Sequence, residues 1–203
     1  MAMMRMQAQP LGHNVSFMFP TWSPYEHNVH RCIKQAIEDG ADFMLSMDSD
    51  NPPMRNPLDL VELDLDVVGL PTPVWHSGVK GDFPGYWNAL KKVGDAYKPI
   101  TECGVDPVGL VQVDAIGSGC FLVARRVLLA LRHKQPFARQ WHPDGTVYKG
   151  GDYSFCEKAT AAGFRIFSHF DYPCMHFNNL EITEVWRAFQ DYHLKHATTC
   201  GQT

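Results

Sequence analysis

The apolar residues of this chain fall into short continuous runs and into segments with helical spacing, and the two kinds alternate. Early in the chain, three runs have the length of buried strands: 14–20, 42–47 and 66–74. Between the first two, the spacing predicts a helix over 27–38, and Gly40 follows as a helix-ending residue. A shorter helix is predicted over 58–63. This β-α-β-α-β order predicts an α/β fold with a mostly parallel sheet flanked by helices.

The second half of the chain continues the alternation but contains two long irregular stretches. Residues 76–107 are rich in Gly, aromatic residues and Lys, and we expect an excursion over the sheet edge that carries ligand contacts. A second loop is expected over 135–151. The remaining strands are predicted at 110–116, 120–124, 165–170 and 172–177. The remaining helices are predicted at 125–131, 152–163 and 181–195.

Composition narrows the class of protein. The chain has 203 residues, 45% of them hydrophobic, and a net charge of −4, so we expect one globular domain over 13–196 with loose tails at 1–12 and 197–203. The acidic balance gives no sign of nucleic-acid binding through bulk charge. The six cysteines form no CxxC pair, which favours reduced thiols over a zinc site. The sequence contains no apolar run of membrane-spanning length and no signal peptide, so a cytoplasmic protein without a membrane partner is expected.

An acidic triplet, Asp48-Ser49-Asp50, follows directly after the predicted strand 42–47. In an open α/β sheet, ligands bind outside the carboxyl ends of the strands, and carboxylate oxygens are the ligands that Mg²⁺ and Mn²⁺ prefer. The triplet therefore indicates a site for a divalent cation. The alternative is a solvated turn or a helix cap, in which Asp and Ser are equally common.

Three segments resemble one enzyme superfamily when they are taken together and in order. These are ADFMLSMDSDNPP (41–53), VDAIGSGCFLVARRVL (113–128) and GGDYSFCEKATAAGFRIFSHFDYPCMHF (150–177). They resemble the DxD-containing glycosyltransferases of the GT-A fold, and in particular the short phage and bacterial enzymes that use nucleotide sugars. The resemblance implies a single, abbreviated Rossmann-type domain.

The resemblance also implies roles for individual residues. Asp48, Asp50 and His176 would hold Mn²⁺ or Mg²⁺ against the diphosphate of a UDP-sugar, and Asp152 would be the catalytic base. The nucleotide pocket would be lined by Pro20, Thr21, Arg31 and Ser49. For two of these residues a structural alternative remains: Asp152 is also placed to cap a helix, and His169 competes with His176.

The chain departs from the family pattern at two points. Fewer residues than usual precede the acidic triplet, so the half that contacts the nucleobase is shortened. The family usually has Glu-Asp at the base, whereas this chain has Gly151 followed by Asp152. One carboxylate is therefore missing, and the residue that matches the base is retained.

A further group of residues is expected to contact the sugar or the acceptor. Gly117, Ser118 and Gly119, with Gly151, allow a backbone to approach a sugar closely, although a plain β-turn is the alternative. Trp75 and Trp87 lie in predicted loops, as do Tyr86 and Trp141, and their rings offer stacking faces. Ordinary packing within the loops is the other interpretation of these aromatic residues.

These observations predict a metal-dependent glycosyltransferase that moves a sugar from a UDP-sugar to an acceptor hydroxyl, with inversion. The expected acceptor is a 5-hydroxymethylpyrimidine base of phage DNA, suggested by aromatic loops and by scattered cations: Lys80, Lys91, Lys92, Arg125, Arg126 and Lys149. A surface or lipid-linked glycan is the alternative acceptor. A nucleotidyltransferase that makes nucleotide sugars is a rival activity, but it needs a Gly-rich loop for a triphosphate, and PTWSPYEH (20–27) has no glycine. A binding module and a phosphodiesterase are further rivals.

Overall fold

A computed structural model describes residues 12–20, 24–75, 85–177, 186–187 and 190. Its strands, in chain order, are β1 (Phe43–Met47), β2 (Val67–Gly69), β3 (Pro73–Trp75), β4 (Gly85–Trp87), β5 (Ala89–Val93), β6 (Ala96–Pro99), β7 (Leu110–Val113), β8 (Ala115–Ile116), β9 (Cys120–Ala124), β10 (Gln140–Trp141), β11 (Val147–Lys149) and β12 (Ile166–His169). The α-helices are α1 (Tyr25–Glu38), α2 (Arg125–Leu131) and α3 (Gly151–Ala161). Short 3₁₀ helices cover Pro57–Leu63 and Ile100–Cys103.

The central sheet has five strands in the order β1-β9-β2-β12-β7. Strand β9 lies between β1 and β2 and runs antiparallel to both, and β7 runs antiparallel to β12. Among the described strands, only β2 and β12 form a parallel pair. The α/β class is confirmed, but the prediction of a mostly parallel sheet is wrong. Every residue of β9 is buried, and such an apolar run marks the centre of a sheet without indicating the direction of the strand.

The predicted loop over 76–107 contains regular structure where it is described. Strand β5 pairs with β6 on one side and with β8 on the other, which gives a second, three-stranded sheet. Strands β3 and β4 pair as well, and β10 with β11 forms a hairpin inside the second predicted loop. Both stretches are therefore built from short antiparallel pairs, which the sequence pattern did not predict.

Two predicted strands do not form. Residues 14–20 make no strand pairing. Residues 172–177 form only one isolated bridge, between Cys174 and Pro53. The second segment lies beside residues 50–54, with Met54 N–H donating to the carbonyl of Pro173 at 2.9 Å. Proline at 52 and 173 lacks the N–H donor at two of the hydrogen-bonding positions of this pairing, so a continuous ladder cannot form.

The helices cover one side of the central sheet. Helix α1 buries Val29 and Ile33, one turn apart, in the same core as Val123 of β9 and Phe155 of α3. The Arg125 guanidinium donates to the carbonyls of Ala36 and Ile37 at the carboxyl end of α1, the latter at 3.0 Å, and to that of Ala41 just beyond the helix. This cap fixes α1 against the start of α2. No helix within the described residues is long and apolar enough to cross a membrane.

The predicted helix over 181–195 lies mostly outside the described residues, and Trp186, Arg187 and Gln190 within it are helical. The five cysteines within the described ranges carry free thiols: Cys32, Cys103, Cys120, Cys156 and Cys174. This agrees with the prediction of reduced thiols for that part of the chain.

Candidate active site

The acidic triplet lies at the carboxyl end of β1, beside the Gly117–Gly119 loop. Pairing between β1 and β9 sets Met47 opposite Cys120, so the residues just beyond them meet. The Asp48 N–H donates to the carbonyl of Gly119 at 2.7 Å, and the Asn51 N–H donates back to the carbonyl of Asp48 at 3.1 Å. These two bonds hold the triplet as a turn over the sheet edge.

His176 faces this turn from the segment that runs beside residues 50–54. The Phe177 N–H donates to the carbonyl of Asp50 at 2.8 Å, which fixes the neighbouring histidine. His176 Nδ1 lies 2.8 Å from the carbonyl oxygen of Pro73. A carbonyl only accepts, so this hydrogen bond places a proton on Nδ1, and in the neutral imidazole Nε2 is then the nitrogen that carries the lone pair. Nε2 lies 3.9 Å from Asp50 Oδ2. Metal-binding histidines commonly have this orientation, with one ring nitrogen held by a backbone carbonyl.

Asp152 lies in the first turn of α3, but it does not cap the helix. The capping position is Gly150, and no side chain bonds there. The Asp152 carboxylate instead accepts a hydrogen bond from the Tyr153 N–H at 2.9 Å. Burial raises the pKa of Asp152 above its ordinary value, and hydrogen bonds from the backbone oppose the rise only in part. A carboxylate in this setting is a stronger base than an exposed aspartate.

The metal-ligand candidates and the base candidate line one cavity of about 350 Å³. The predicted residues that line it are Asp48, Asp50, Gly117, Ser118, Gly119, Asp152 and His176. They come from four separate segments of the chain. The cavity also contains residues that the sequence analysis did not assign: Asn51, Thr72, Val74, Asn88 and Tyr153. Tyr86, proposed as a stacking residue, lies in the same wall.

A second cavity of about 350 Å³ adjoins the first. Asp48, Ser118 and Asp152 line both cavities and therefore stand between them. The predicted Gly151 also lines the second cavity. The rest of its lining consists of residues that the sequence did not indicate: Tyr25, Glu26, Arg139, Val147 and Gly150. Glu26 and Arg139 form an ion pair within this lining. Their separation along the chain explains why no local motif indicated them.

The two cavities have an acidic electrostatic character. Burial, followed by repulsion from Asp50 and Asp152, raises the pKa of Asp48 to about 6. The pKa of Tyr25 is raised to about 12, chiefly by burial, and the Asp48 and Asp152 charges add to this. Carboxylates that repel one another in a partly desolvated cleft favour a bound cation, because it removes the repulsion.

The donor set suits such a cation. Two carboxylates and an imidazole nitrogen with a free lone pair are acceptable ligands for Mn²⁺ or Mg²⁺. Within the described ranges, no three His, Cys, Asp or Glu side chains already stand close enough together to hold a metal. Asp48, Asp50 and His176 share one cavity and carry ligand atoms that a divalent cation accepts, but they are not already arranged as a metal-binding group.

The glycines of the site are required by their neighbours. A Cβ at position 119 would lie 1.7 Å from Asn51 Oδ1, and one at position 117 would lie 2.6 Å from Asn88 Nδ2. A Cβ at position 151 would lie 2.6 Å from the backbone oxygen of Phe137. A side chain at position 151 would therefore displace a buried backbone segment, so the site has no room for a second carboxylate there.

Other predicted residues are not brought to either cavity. Pro20 is half-buried, while Arg31 and Ser49 are exposed, and these three are absent from the lining of both cavities. Trp87 packs edge-to-face on Phe170, with ring centroids 6.0 Å apart. Thr21 and the side chain of Trp75 lie outside the described part of the chain.

His169, the alternative metal ligand, and Trp141, a proposed stacking residue, both lie away from the two cavities. His169, whose imidazole ring packs against Tyr172 at 4.9 Å, is not among the residues that line the two cavities. The cavity geometry thus favours His176 over His169 as a ligand candidate. Trp141 is 59% exposed on the β10–β11 hairpin.

Comparison with known proteins gives a fold but not a family. No protein-family model matches the chain, and no curated protein matches it. The fold is similar to the crystal structure of A197 from STIV, a viral protein, with a TM-score of 0.52 and 14% sequence identity. The match covers 80% of this chain and 72% of A197. At this identity the likeness concerns the fold alone.

Proposed function

We propose that this chain is a metal-dependent glycosyltransferase that moves a sugar from a UDP-sugar to an acceptor hydroxyl. The observation that carries the proposal is the convergence of Asp48, Asp50, His176 and Asp152 on one cavity. These residues were selected from three distant sequence motifs, and chance would not bring all of them to the same wall. A bound cation and a buried carboxylate base are two groups that accelerate sugar transfer.

Asp48, Asp50 and His176 would hold Mn²⁺ or Mg²⁺. The cation would supply positive charge to the departing diphosphate as the bond between sugar and phosphate breaks. The lining of the first cavity contains no Lys or Arg among its described residues, so the cation is needed to balance the phosphates. The same feature disfavours a nucleotidyltransferase, which has to grip a triphosphate with basic side chains.

Asp152 would act as the general base. It stands between the two cavities, so a donor in the first cavity and an acceptor in the second would both reach it. The carboxylate would take the proton of the acceptor hydroxyl as its oxygen attacks the anomeric carbon of the sugar, and the diphosphate would leave with the bonding electrons. A single base on the acceptor side favours inversion at that carbon.

The acceptor is expected to enter the second cavity, beside the Glu26–Arg139 ion pair. A hydroxymethylated pyrimidine remains the acceptor predicted from the sequence. Several of the cations that suggested DNA already have internal partners: Arg125 with α1 carbonyls, Arg126 with Asp64 and Asp66, and both Lys92 and Lys149 with Glu157. Those contacts reduce the charge available for phosphates.

The first experiment is hydrolysis of a panel of UDP-sugars with and without Mn²⁺. We expect turnover only with the metal. His176→Ala should raise the Mn²⁺ concentration for half-maximal activity by about 10- to 100-fold, whereas the control His169→Ala should leave it unchanged. Equal Mn²⁺ dependence in the two variants, or full activity in Asp50→Ala, would refute the metal site.

Two further measurements test the base and the acceptor. Asp152→Asn should lower transfer by about 10²- to 10⁴-fold and leave the affinity for UDP with Mn²⁺ intact. Loss of UDP binding in that variant would instead indicate a structural role. Labelled sugar should enter hydroxymethylated duplex DNA and not plain duplex; equal labelling of both would exclude the modified base as the acceptor.

A further inference from the structure

A buried side-chain amide nitrogen in the wall of the first cavity has no hydrogen-bond partner within the described chain. Asn51 follows the acidic triplet and is only 6% exposed. Its Oδ1 packs on Gly119, where a Cβ would lie 1.7 Å away, and its Nδ2 makes no hydrogen bond to any described residue. The backbone N–H of Asn51 donates to the carbonyl of Asp48, which fixes the backbone position from which the side chain extends.

The neighbouring asparagine shows the contrast. Asn88 lines the same cavity, but its Oδ1 accepts a hydrogen bond from the Thr72 N–H at 2.8 Å. Its backbone is also bonded on both sides, to Thr72 and to Gly117. The structure therefore employs Asn88 to hold the cavity wall, and Asn51 is left with an unused donor. Buried polar groups without partners are rare in native proteins, and a functional role or a bound group that completes the bond is a recognised explanation for one.

The lining of the cavity identifies the chemical class of that ligand. Hydroxyl, amide and carboxylate groups surround Asn51, and Lys and Arg are absent from the described lining. Such a wall suits a neutral molecule with many hydroxyl groups better than it suits a bare phosphate, which is usually bound by basic side chains or backbone N–H groups.

We propose that Asn51 Nδ2 donates a hydrogen bond to a hydroxyl oxygen of the donor sugar and thereby selects which sugar is moved. This inference rests on the proposed function, since it assumes a nucleotide sugar in the first cavity. It adds a sugar-reading residue next to the metal ligands. A donor whose hydroxyl is missing at the matching carbon leaves Nδ2 unpaired in the bound state, which costs about 5- to 150-fold in kcat/KM.

Side-chain NMR tests the contact without relying on turnover. The ¹⁵N-labelled amide pair of Asn51 is identified by its absence from the Asn51→Ala spectrum, with Mg²⁺ as the metal. UDP-glucose, UDP-galactose and UDP-N-acetylglucosamine are each titrated against UDP alone. We expect at least one sugar nucleotide to shift the pair, while UDP leaves it in place. Binding of a sugar nucleotide with the pair unmoved, or an equal shift by UDP alone, would overturn this inference.

Kinetics with deoxy donors provide the second test. Asn51→Ala should lower kcat/KM for the preferred UDP-sugar by about 5- to 150-fold, with the affinity for UDP unchanged. For the wild type, one single-deoxy UDP-sugar should have a lower kcat/KM than the parent UDP-sugar. For Asn51→Ala, the two donors should have equal kcat/KM. The control Asn14→Ala, at an exposed asparagine outside the cavity, should retain wild-type discrimination.

The two proposals fail in different ways. An amide pair that shifts with a UDP-sugar, in a protein that never transfers the sugar, refutes the transferase and leaves the sugar-reading contact standing. Turnover with the same loss for every deoxy analogue in Asn51→Ala refutes the contact and leaves the transferase standing. A wild-type protein that binds no UDP-sugar at all refutes both.

Discussion

Gly150 and Gly151 precede the candidate base Asp152, and replacement of each by alanine should affect the protein differently. Gly151→Ala should lower the stability of the fold, whereas Gly150→Ala should instead disturb the Asp152 carboxylate. At Gly151 a Cβ would lie 2.6 Å from the backbone oxygen of Phe137, whereas at Gly150 it would lie 2.7 Å from the side-chain oxygen of Asp152. Phe137 is fully buried and its ring is stacked on Phe155, with centroids 4.6 Å apart. The first obstacle is therefore immobile, and the second is a carboxylate that can rotate.

The magnitudes follow from these two obstacles. Overpacking a filled core costs about 1–3 kcal/mol, and alanine recovers about 0.5–1 kcal/mol over glycine inside a helix. Gly151→Ala should therefore lose about 1–2 kcal/mol of unfolding free energy, which lowers Tm by about 2–8 °C in a chain of this length. Gly150→Ala should change the unfolding free energy by less than about 0.5 kcal/mol, because its backbone angles suit alanine (φ −64°, ψ 162°).

Gly150→Ala should keep its stability but lose activity. Displacement of the Asp152 carboxylate by about 1 Å is enough to reduce UDP-sugar hydrolysis by roughly 10²-fold. The assays are thermal unfolding by circular dichroism and Mn²⁺-dependent hydrolysis, run on both variants. The steric argument is refuted if Gly151→Ala melts at or above the wild-type temperature, or if Gly150→Ala is the less stable of the two.

Two other predictions concern the scaffold. Phe155→Ala removes a ring that stacks on Phe137 and is 2% exposed, so urea unfolding should show a loss of about 3–5 kcal/mol; a loss under about 1 kcal/mol would contradict the packing. Burial would raise the pKa of Asp66, but its bonds to Arg126 and to the Arg165 N–H outweigh this and leave the pKa below 3.8. The stability from this carboxylate is thus present above about pH 4 and lost as the pH falls through the lowered pKa. Asp66→Asn should be less stable than wild type at pH 7, with the deficit shrinking toward pH 3; a constant deficit would contradict the linkage.

The sequence predicted a helix or strand correctly where the residues of that segment alone decide its conformation. The helix over 125–131 and the strand over 120–124 have the predicted boundaries. Both segments are short and strongly apolar, and neither contains Gly or Pro. The segments 14–20 and 172–177 were predicted from equally apolar runs and form no strand. A strand needs a partner with free N–H and C=O groups, and that partner lies elsewhere in the chain.

The sequence by itself determined the acidic turn at the end of β1, the histidine within YPCMHF and the aspartate at the start of α3, because each belongs to a short motif with a recognisable neighbourhood. Only the tertiary structure decided that these residues line one cavity, that β9 separates β1 from β2, and that Glu26 meets Arg139. It also left Asn51 with an unused donor. These features depend on which distant segments pack together, and long-range packing leaves no periodic signal in a single sequence.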